Sequence, residues 1–416
     1  MVLTKTPGVI SLLAGSPNAA VFPFKSLTFT TPQSLIDPSD PNLESLFRID
    51  GADLTEALQY TETPGLKQLL AWISGLQTFC HGRNVNEGWR VSVGIGSRDL
   101  LYKAAVAVLN TGDSVFVEAP AYSGATAIFE SLGCTQIEVL TDDQGIIPES
   151  LSSILDGWPE GKPKPEAIYT MPSGGNPSGT TQNERKLQIL QLARKHDFLI
   201  FEDDPFYYLY YGATRQPRSY FSLERELPEV GRVLRFDSLS KILSAGLRIG
   251  FVTGPTALLA AIDGYTATSN LQTSSFTQAI TYKLLNHWGY EGFLSHTEKV
   301  SLSYKERSDN FEQAMTKHFG GSAEWIRPVS GVYFWFKLLA NKIELRTVTK
   351  LKAYQDGLSE LPGIDLSFLN GEASRIRVGF GLLSNEEVDK VLNSIKETLI
   401  SDLASVSHSV QAVNFC

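Results

Sequence analysis

The sequence predicts an α/β protein with a mostly parallel central sheet, helices on both faces of that sheet, and a smaller α+β domain. Three observations support this. Between about residue 90 and residue 255, short β-rich runs alternate with helical patterns, the order that produces parallel strands joined by crossover helices. Two of the runs, "FLIF" and the core of "EAIYTM", are nearly continuous apolar stretches, as expected of strands covered on both faces. The last hundred residues lose this alternation, and "GVYFWFKL" (331–338) and "RIRVGFG" (375–381) read there as strands of a second unit.

The strand candidates of the first unit are "SVFVEAP" (114–120), "TQIEVL" (135–140), "EAIYTM" (166–171), "DFLIFED" (197–203), "RVLRFDS" (232–238) and "IGFVTG" (249–254). Helix starts lie between them. Ser97 stands directly before "RDLLYKAAVAVL", and Thr181 with Glu184 predicts a capping box ahead of Leu187, Leu190 and Ala193. Ser384 with Glu387 predicts a second box before Val388, Val391, Leu392, Ile395 and Leu399. The expected division is residues 1–50 as an N-terminal segment associated with the smaller domain, 51–305 as the large domain, and 306–416 as the smaller one.

A chain of 416 residues buries a large core. Hydrophobic content of 42% and charged content of 19% are those of an ordinary globular protein. A net charge of −9 argues against nucleic acid as the partner, because phosphate backbones require clustered Lys and Arg. No stretch reaches the roughly 18 consecutive apolar residues of a membrane span, so no membrane is expected as a partner. Cys80, Cys134 and Cys416 have no metal or redox spacing, and an odd count suits a reducing, cytoplasmic location. His81, His196, His287, His296, His318 and His408 show no ligand spacing, so no metal is expected.

Ligands of open α/β sheets bind outside the carboxyl ends of the strands, and unusual residues collect at those ends. Ala119-Pro120-Ala121-Tyr122 follows "VFVE", "PSGGNPSG" with Asn176 follows "IYTM", and Glu202-Asp203-Asp204-Pro205 follows "FLIF". Ser238-Leu239-Ser240-Lys241 follows "LRFD", with Arg248 seven positions on. Singly, each is ordinary turn, cap or packing chemistry. Together they bring an aromatic face, an amide, a carboxylate, hydroxyls, an amine and a guanidinium to one sheet edge. Pyridoxal phosphate needs such a set: an amine for a Schiff base, a carboxylate to keep its ring nitrogen protonated, and a face for its ring. Its phosphate needs hydroxyls, an Arg fork and a helix N-terminus, here the one beginning at Ser97. Lys241, flanked by small and apolar residues, is the candidate amine.

The sequence resembles the fold type I pyridoxal phosphate-dependent aminotransferases of class I/II, and within them the fungal aromatic and mammalian 2-aminoadipate/kynurenine branch. The motifs are "ISLLAGSPNAAVFPF", "ALQYTETPGLKQLL", "EAPAYSGA", "PSGGNPSG", "FEDDPFYYLYY" and "SLSKILSAGLRIGF", spread over essentially the whole chain. The resemblance implies that Lys241 forms the Schiff base and shuttles the proton. It places Asp203 at the ring nitrogen, Asn176 at the ring hydroxyl and Tyr122 on the ring face. Ser97, Arg98 through its backbone, Ser238 and Arg248 would hold the phosphate. Tyr60 would reach the neighbouring subunit's cofactor, implying a homodimer with shared sites. Arg377 would pair with the substrate α-carboxylate, and Gly15 lies in the segment expected to close over the substrate.

Three departures from the family pattern stand out. Phe206 occupies the position where a Tyr usually donates to the ring hydroxyl, with Tyr207 or Tyr208 as conceivable substitutes. Arg98-Asp99-Leu100 stands where Gln-Gln-Gly is common, and Ser16 replaces a Gly. The expected reaction is transfer of an amino group from an L-amino acid to a 2-oxo acid. Because of Phe206, C–S cleavage or β-elimination on the same fold is the alternative. A helix-turn-helix regulator is disfavoured, since residues 1–50 contain no basic helix. Phe22, Phe24, Tyr207, Tyr208 and Tyr210 suggest an aromatic-lined mouth.

Overall fold

The computed structural model describes residues 15–32, 44–174, 180–339, 365–369 and 372–397. An antiparallel pair, β1 (Ser26–Pro32) and β2 (Glu44–Asp50), leads into α1 (Gly51–Leu58) and α2 (Lys67–His81). The alternating region follows as β3 (Trp89–Gly94), α3 (Ser97–Val108), β4 (Ser114–Ala119), α4 (Ser123–Ser131), β5 (Thr135–Asp142) and β6 (Gly145–Ile146). It continues as α5 (Pro148–Asp156), β7 (Ala167–Thr170), α6 (Asn183–His196), β8 (Leu199–Asp203) and α7 (Tyr220–Leu223). β9 (Val233–Ser238), β10 (Gly250–Pro255) and α8 (Thr256–Ser269) close it. The long α9 (Ser275–Phe319) is interrupted at Gly289, whose φ of 63° and ψ of −174° are not helical. After it come β11 (Ala323–Ile326), β12 (Tyr333–Leu338), β13 (Asp365–Leu369), β14 (Glu372–Gly379) and a helical run over 385–397.

The main sheet has the strand order β3-β10-β9-β8-β7-β4-β5-β6. Strands β9, β8, β7, β4 and β5 are parallel to their neighbours in that series. Strand β10 runs antiparallel to both β9 and β3, with Gly250 opposite Ser238 on one side and Gly94 on the other. The first residue of β10 therefore lies at the edge where β3 and β9 end.

Helices cover both faces, as the continuous apolar strands require. On one face Leu100, Leu101 and Ala104 of α3, with Phe129 of α4 and Ile262 of α8, pack on Tyr169, Phe201 and Phe236. On the other, Ile73 of α2, Leu151 of α5 and Ile189 of α6 meet Phe116, Ile168 and Ile200. Each such fully buried aliphatic side chain stabilises the fold by about 1.5–3 kcal/mol. A third cluster, including Phe311, Phe334, Phe336, Phe380 and Leu392, sits under the β11-β12-β14-β13 sheet. The β1–β2 pair forms a sheet of its own instead of joining that smaller one, and Phe47 packs edge-on to His287 of α9. No helix among the described residues is long and apolar enough to cross a membrane.

The capping box expected at Ser384 forms: Glu387 N donates to Ser384 Oγ at 3.2 Å, and Ser384 N donates to Glu387 Oε2 at 2.7 Å. The box expected at Thr181 does not. Helix α6 starts two residues later, without a side-chain cap, because Thr181 is buried and its N–H is drawn to Pro172 O at 2.9 Å. Ser97 is the first residue of α3 rather than its cap; Gly96, at φ 90°, takes the cap position.

Candidate active site

Five strands deliver polar residues to one edge of the main sheet. Ser97 follows β3 at the start of α3, Tyr122 follows β4, Asp203 ends β8, and Ser238 ends β9 with Lys241 three residues beyond. Arg248 precedes β10 and reaches the same edge only because that strand runs in reverse. It does so in the left-handed backbone region, at φ 53°.

The region around Ser97 and Arg248 is built for close approach. Arg248 Nη2 donates to Ile95 O at 3.3 Å, and Nη1 reaches Ala245 O at 3.4 Å and Ser240 Oγ at 3.5 Å. A Cβ on Gly96 would lie 2.5 Å from Arg248 Nη2, and one on Gly250 would lie 2.4 Å from the Ser97 N. Glycine at both positions lets the guanidinium settle against the helix start. Ser238 Oγ accepts from Ser240 N at 3.2 Å. A helix N-terminus, an Arg fork and serine hydroxyls together form an anion cradle. Arg98 is exposed, so the candidate contact from that residue is its backbone N–H in the first turn of α3.

Asp203 is 5% exposed. Its Oδ2 accepts from the Tyr169 hydroxyl at 2.8 Å, while its Oδ1 is buried with no partner. Burial pushes the carboxyl up to about 7; the Tyr169 bond and the Arg235 charge act against that, and Asp204 adds to it. A buried acceptor left without a donor is costly. A protonated ring nitrogen would supply the missing donor, so the residues present fit pyridoxal phosphate.

The neighbouring acid faces the other way. Asp204, Glu202 and Asp237 surround Arg235, all buried: Arg235 Nη1 lies 2.9 Å from Asp204 Oδ2 and 3.3 Å from Glu202 Oε1, and Nη2 lies 2.8 Å from Asp237 Oδ1. Glu202 also accepts from the Tyr220 and Phe221 amides at 2.7 and 3.1 Å. Glu118 on β4 holds the end of β7 by accepting from Met171 N at 3.0 Å and Thr170 Oγ1 at 3.1 Å.

Tyr122 lies against the start of α4, where a Cβ on Gly124 would come within 2.4 Å of its ring. Lys241 sits in a turn closed by Leu243 N donating to Leu239 O at 2.9 Å. Leu239 and Ile242 are buried. Lys241 itself is exposed and makes no hydrogen bond or ion pair with any described residue. The apolar residues that flank it anchor the turn, and the amine itself is open.

Phe206 is buried, edge-on to Tyr333 with ring centroids 6.1 Å apart. Both conceivable substitutes are engaged elsewhere. Tyr207 carries its ring 4.6 Å over Arg235, on the face opposite Asp203, and Tyr208 packs on Phe293. Tyr207, Tyr208 and Tyr210 line a cavity of about 410 Å³ with Phe79 and Cys80. Tyr60 is 59% exposed and lines a different cavity, of about 340 Å³, with Pro17, Gln272 and Phe276. Gly15 is exposed, and its segment is tied down where Gln59 Nε2 donates to Pro17 O at 2.8 Å. Asn176 falls in 175–179, outside the described residues; Arg377 is placed as a backbone position on β14, opposite Trp335.

Residues 48–395 match the model of the family "Aminotransferase class I and II". The chain belongs to that family. The aminotransferase is 38% identical to "Aminotransferase tdiD" of Emericella nidulans, over 94% of this chain and 90% of that one. It is 36% identical to the "Kynurenine/alpha-aminoadipate aminotransferase, mitochondrial" of Bos taurus, over 96% and 94%. The aminotransferase superimposes on the aromatic aminotransferase Aro9 of Candida albicans with a TM-score of 0.84 at 26% identity, covering 96% and 93% of the two chains. A further solved relative, the α-aminoadipate aminotransferase LysN of Thermus thermophilus, is complexed with N-(5'-phosphopyridoxyl)-L-leucine; its TM-score is 0.72 at 26% identity, over 84% and 85%. The aminotransferase depends on pyridoxal phosphate and has the mixed α/β architecture of fold type I.

Two participants at the site escaped the sequence reading: Tyr169 and Arg235. Arg235 did carry a signal, a charge inside an apolar strand run, whereas Tyr169 in "AIYT" carried none.

Proposed function

We propose that this aminotransferase takes an aromatic or 2-aminoadipate-like L-amino acid as donor and passes its amino group to a 2-oxo acid in a ping-pong cycle. The observation that supports the site assignment is the orphaned Asp203 Oδ1, set on the same sheet edge as the Arg248 cradle and the open Lys241 amine. The substrate class rests on the names of the kynurenine/α-aminoadipate and aromatic relatives.

Pyridoxal phosphate, when bound, supplies an electron-poor ring that takes up charge from the substrate Cα. Lys241 Nζ would hold the cofactor between turnovers and, once the substrate amine has displaced it, would take up and carry the Cα proton. Asp203 would hold the proton on the ring nitrogen, Asn176 would donate to the ring hydroxyl, and Tyr122 would cover the ring face. Ser97, the Arg98 N–H, Ser238 and Arg248 bind the phosphate, and Arg377 binds the substrate carboxylate through its planar fork. Gly15 belongs to a segment that excludes water from the substrate. Tyr60, exposed in the single chain, completes the partner's phosphate site in a homodimer. The proposed division remains 1–50, 51–305 and 306–416, with the last joint inside α9. A cytoplasmic location is proposed on the cysteine pattern, and imaging of the full chain with a C-terminal fluorescent tag distinguishes it from the mitochondrial site named for the Bos taurus relative.

The deciding experiment is a single half-reaction. Mixing the loaded enzyme with a panel of amino acids should convert the cofactor from its aldehyde to its amine form. Aromatic amino acids or 2-aminoadipate should react about tenfold or more faster than alanine. A panel in which nothing reacts sinks the assignment. Ammonia release without an oxo acid would point to elimination, which the relatives, named as aminotransferases, do not favour.

Phe206→Tyr offers a second check. A phenol introduced there would donate to the cofactor's ring oxygen and stabilise its ionised form, so the pH midpoint of the cofactor's absorbance should fall by about one unit. An unchanged midpoint would place Phe206 away from the ring.

A further inference from the structure

We infer that Tyr169 is a positioning residue for Asp203, fixing which carboxylate oxygen faces the cofactor and holding that carboxylate in its ionised form. This rests on the assignment of Asp203 to the ring nitrogen.

Asp203 and Tyr169 stand on neighbouring strands, β8 and β7, with their side chains on the sheet face covered by α3 and α4. Tyr169 is fully buried, wedged between Phe129 and the sheet with ring centroids 6.0 Å apart. Among the described residues its hydroxyl has one hydrogen-bond partner, Asp203 Oδ2. Burial and the surrounding carboxylates push the phenol far above its ordinary range, so it remains a proton donor throughout the working pH. A carboxylate turns about its last bond with broad, two-fold freedom. One oxygen pinned by a buried donor removes that freedom and leaves the other directed as the single open acceptor. The same bond favours the charged form against the desolvation that would neutralise it.

Core packing alone is the competing role, with Asp203 merely satisfying a buried hydroxyl. The two are separable because the charged and titratable groups around Asp203 among the described residues are few. They are Glu118 on β4, Tyr169 on β7, Asp204 beside it, and Arg235 on β9; Tyr122 lies next to Tyr169.

The experiment compares wild type, Tyr169→Phe, Asp203→Asn and a protein with 3-fluorotyrosine inserted at position 169. Two quantities are read: the carboxyl infrared titration of Asp203 without cofactor, and the affinity for pyridoxal phosphate as a function of pH. In Tyr169→Phe the infrared midpoint should rise, and cofactor affinity should fall by about tenfold, the weakening beginning at a higher pH. The fluorinated phenol is a stronger donor of the same shape and should move the infrared midpoint down. Equal midpoints in all three tyrosine-site proteins would overturn the proposal. So would a Tyr169→Phe protein whose midpoint rises while cofactor affinity stays at the wild-type value. Should Asp203→Asn itself bind cofactor as tightly as wild type, the assignment of Asp203 falls, and the positioning role falls with it. If Tyr169→Phe does not fold, the fluorotyrosine protein alone decides, by whether its midpoint shifts down.

Discussion

Lys241→Ala should lose turnover by at least about a thousandfold while keeping the fold and the stability of the native chain. The two halves of that expectation have separate grounds. Lys241 is exposed and makes no bond to any described residue, while Leu239 and Ile242 on either side hold the turn by burial. Truncating such a side chain changes stability by less than about 0.5 kcal/mol. Chemistry, in contrast, loses both the covalent attachment and the one amine placed at that sheet edge among the described residues to move the Cα proton. Steady-state assays with the best donor of the panel, alongside thermal melts, measure both halves. Borohydride reduction of the loaded native enzyme followed by peptide mapping should place the label on Lys241 and leave Lys241→Ala unlabelled at that peptide. A variant with turnover within tenfold of native, or a label on another lysine, would remove Lys241 from the centre of the mechanism.

The strand ends were legible in the sequence because apolar runs such as "FLIF" are cut off sharply by polar and turn-forming residues. The order of those runs was enough to place Ser97, Tyr122, Asp203, Ser238 and Lys241 at one edge. Arg248 was harder, since it precedes its strand, and its arrival there depends on β10 being antiparallel, which no local pattern encodes. Tyr207 and Tyr208, the conceivable substitutes for the missing phenol, form the 3-10 turn Tyr207–Leu209, which sends one ring to Arg235 and the other to Phe293. Partnerships across strands were invisible for the same reason. Tyr169 and Asp203 are 34 residues apart, and only the parallel register of β7 and β8 brings them together. The failed capping box at Thr181 shows a tertiary demand, the Pro172 carbonyl, winning over a local preference.

Arg235→Met should be the most destabilising single change near the site, because it leaves Glu202, Asp204 and Asp237 buried without the guanidinium they surround, with the more remote charge of buried Lys186 acting on Glu202 and Asp204. Removing one partner from a buried ion cluster costs about 3–5 kcal/mol. Arg235→Lys should recover part of this, since an ammonium restores the charge but not the fork that meets Asp204 and Asp237 together. The loss should depend on pH in a definite direction. Glu202 is already raised, and Asp237 is raised to about 7, with burial as the first cause in each and Arg235 the main opposing charge. Without Arg235, Glu202 and Asp237 must rise further above their unfolded values of about 4. A carboxyl raised in the folded state contributes stability below its unfolded value and loses it as pH climbs through the folded one. Urea unfolding midpoints should therefore show a larger deficit for Arg235→Met at pH 8 than at pH 5; the reverse order would contradict the account. Because Asp204 adjoins Asp203 and Asp237 adjoins Ser238, the folded fraction should also bind pyridoxal phosphate more weakly than wild type. A variant that unfolds early yet binds cofactor normally would separate the ion cluster from the site, making it a device of stability alone.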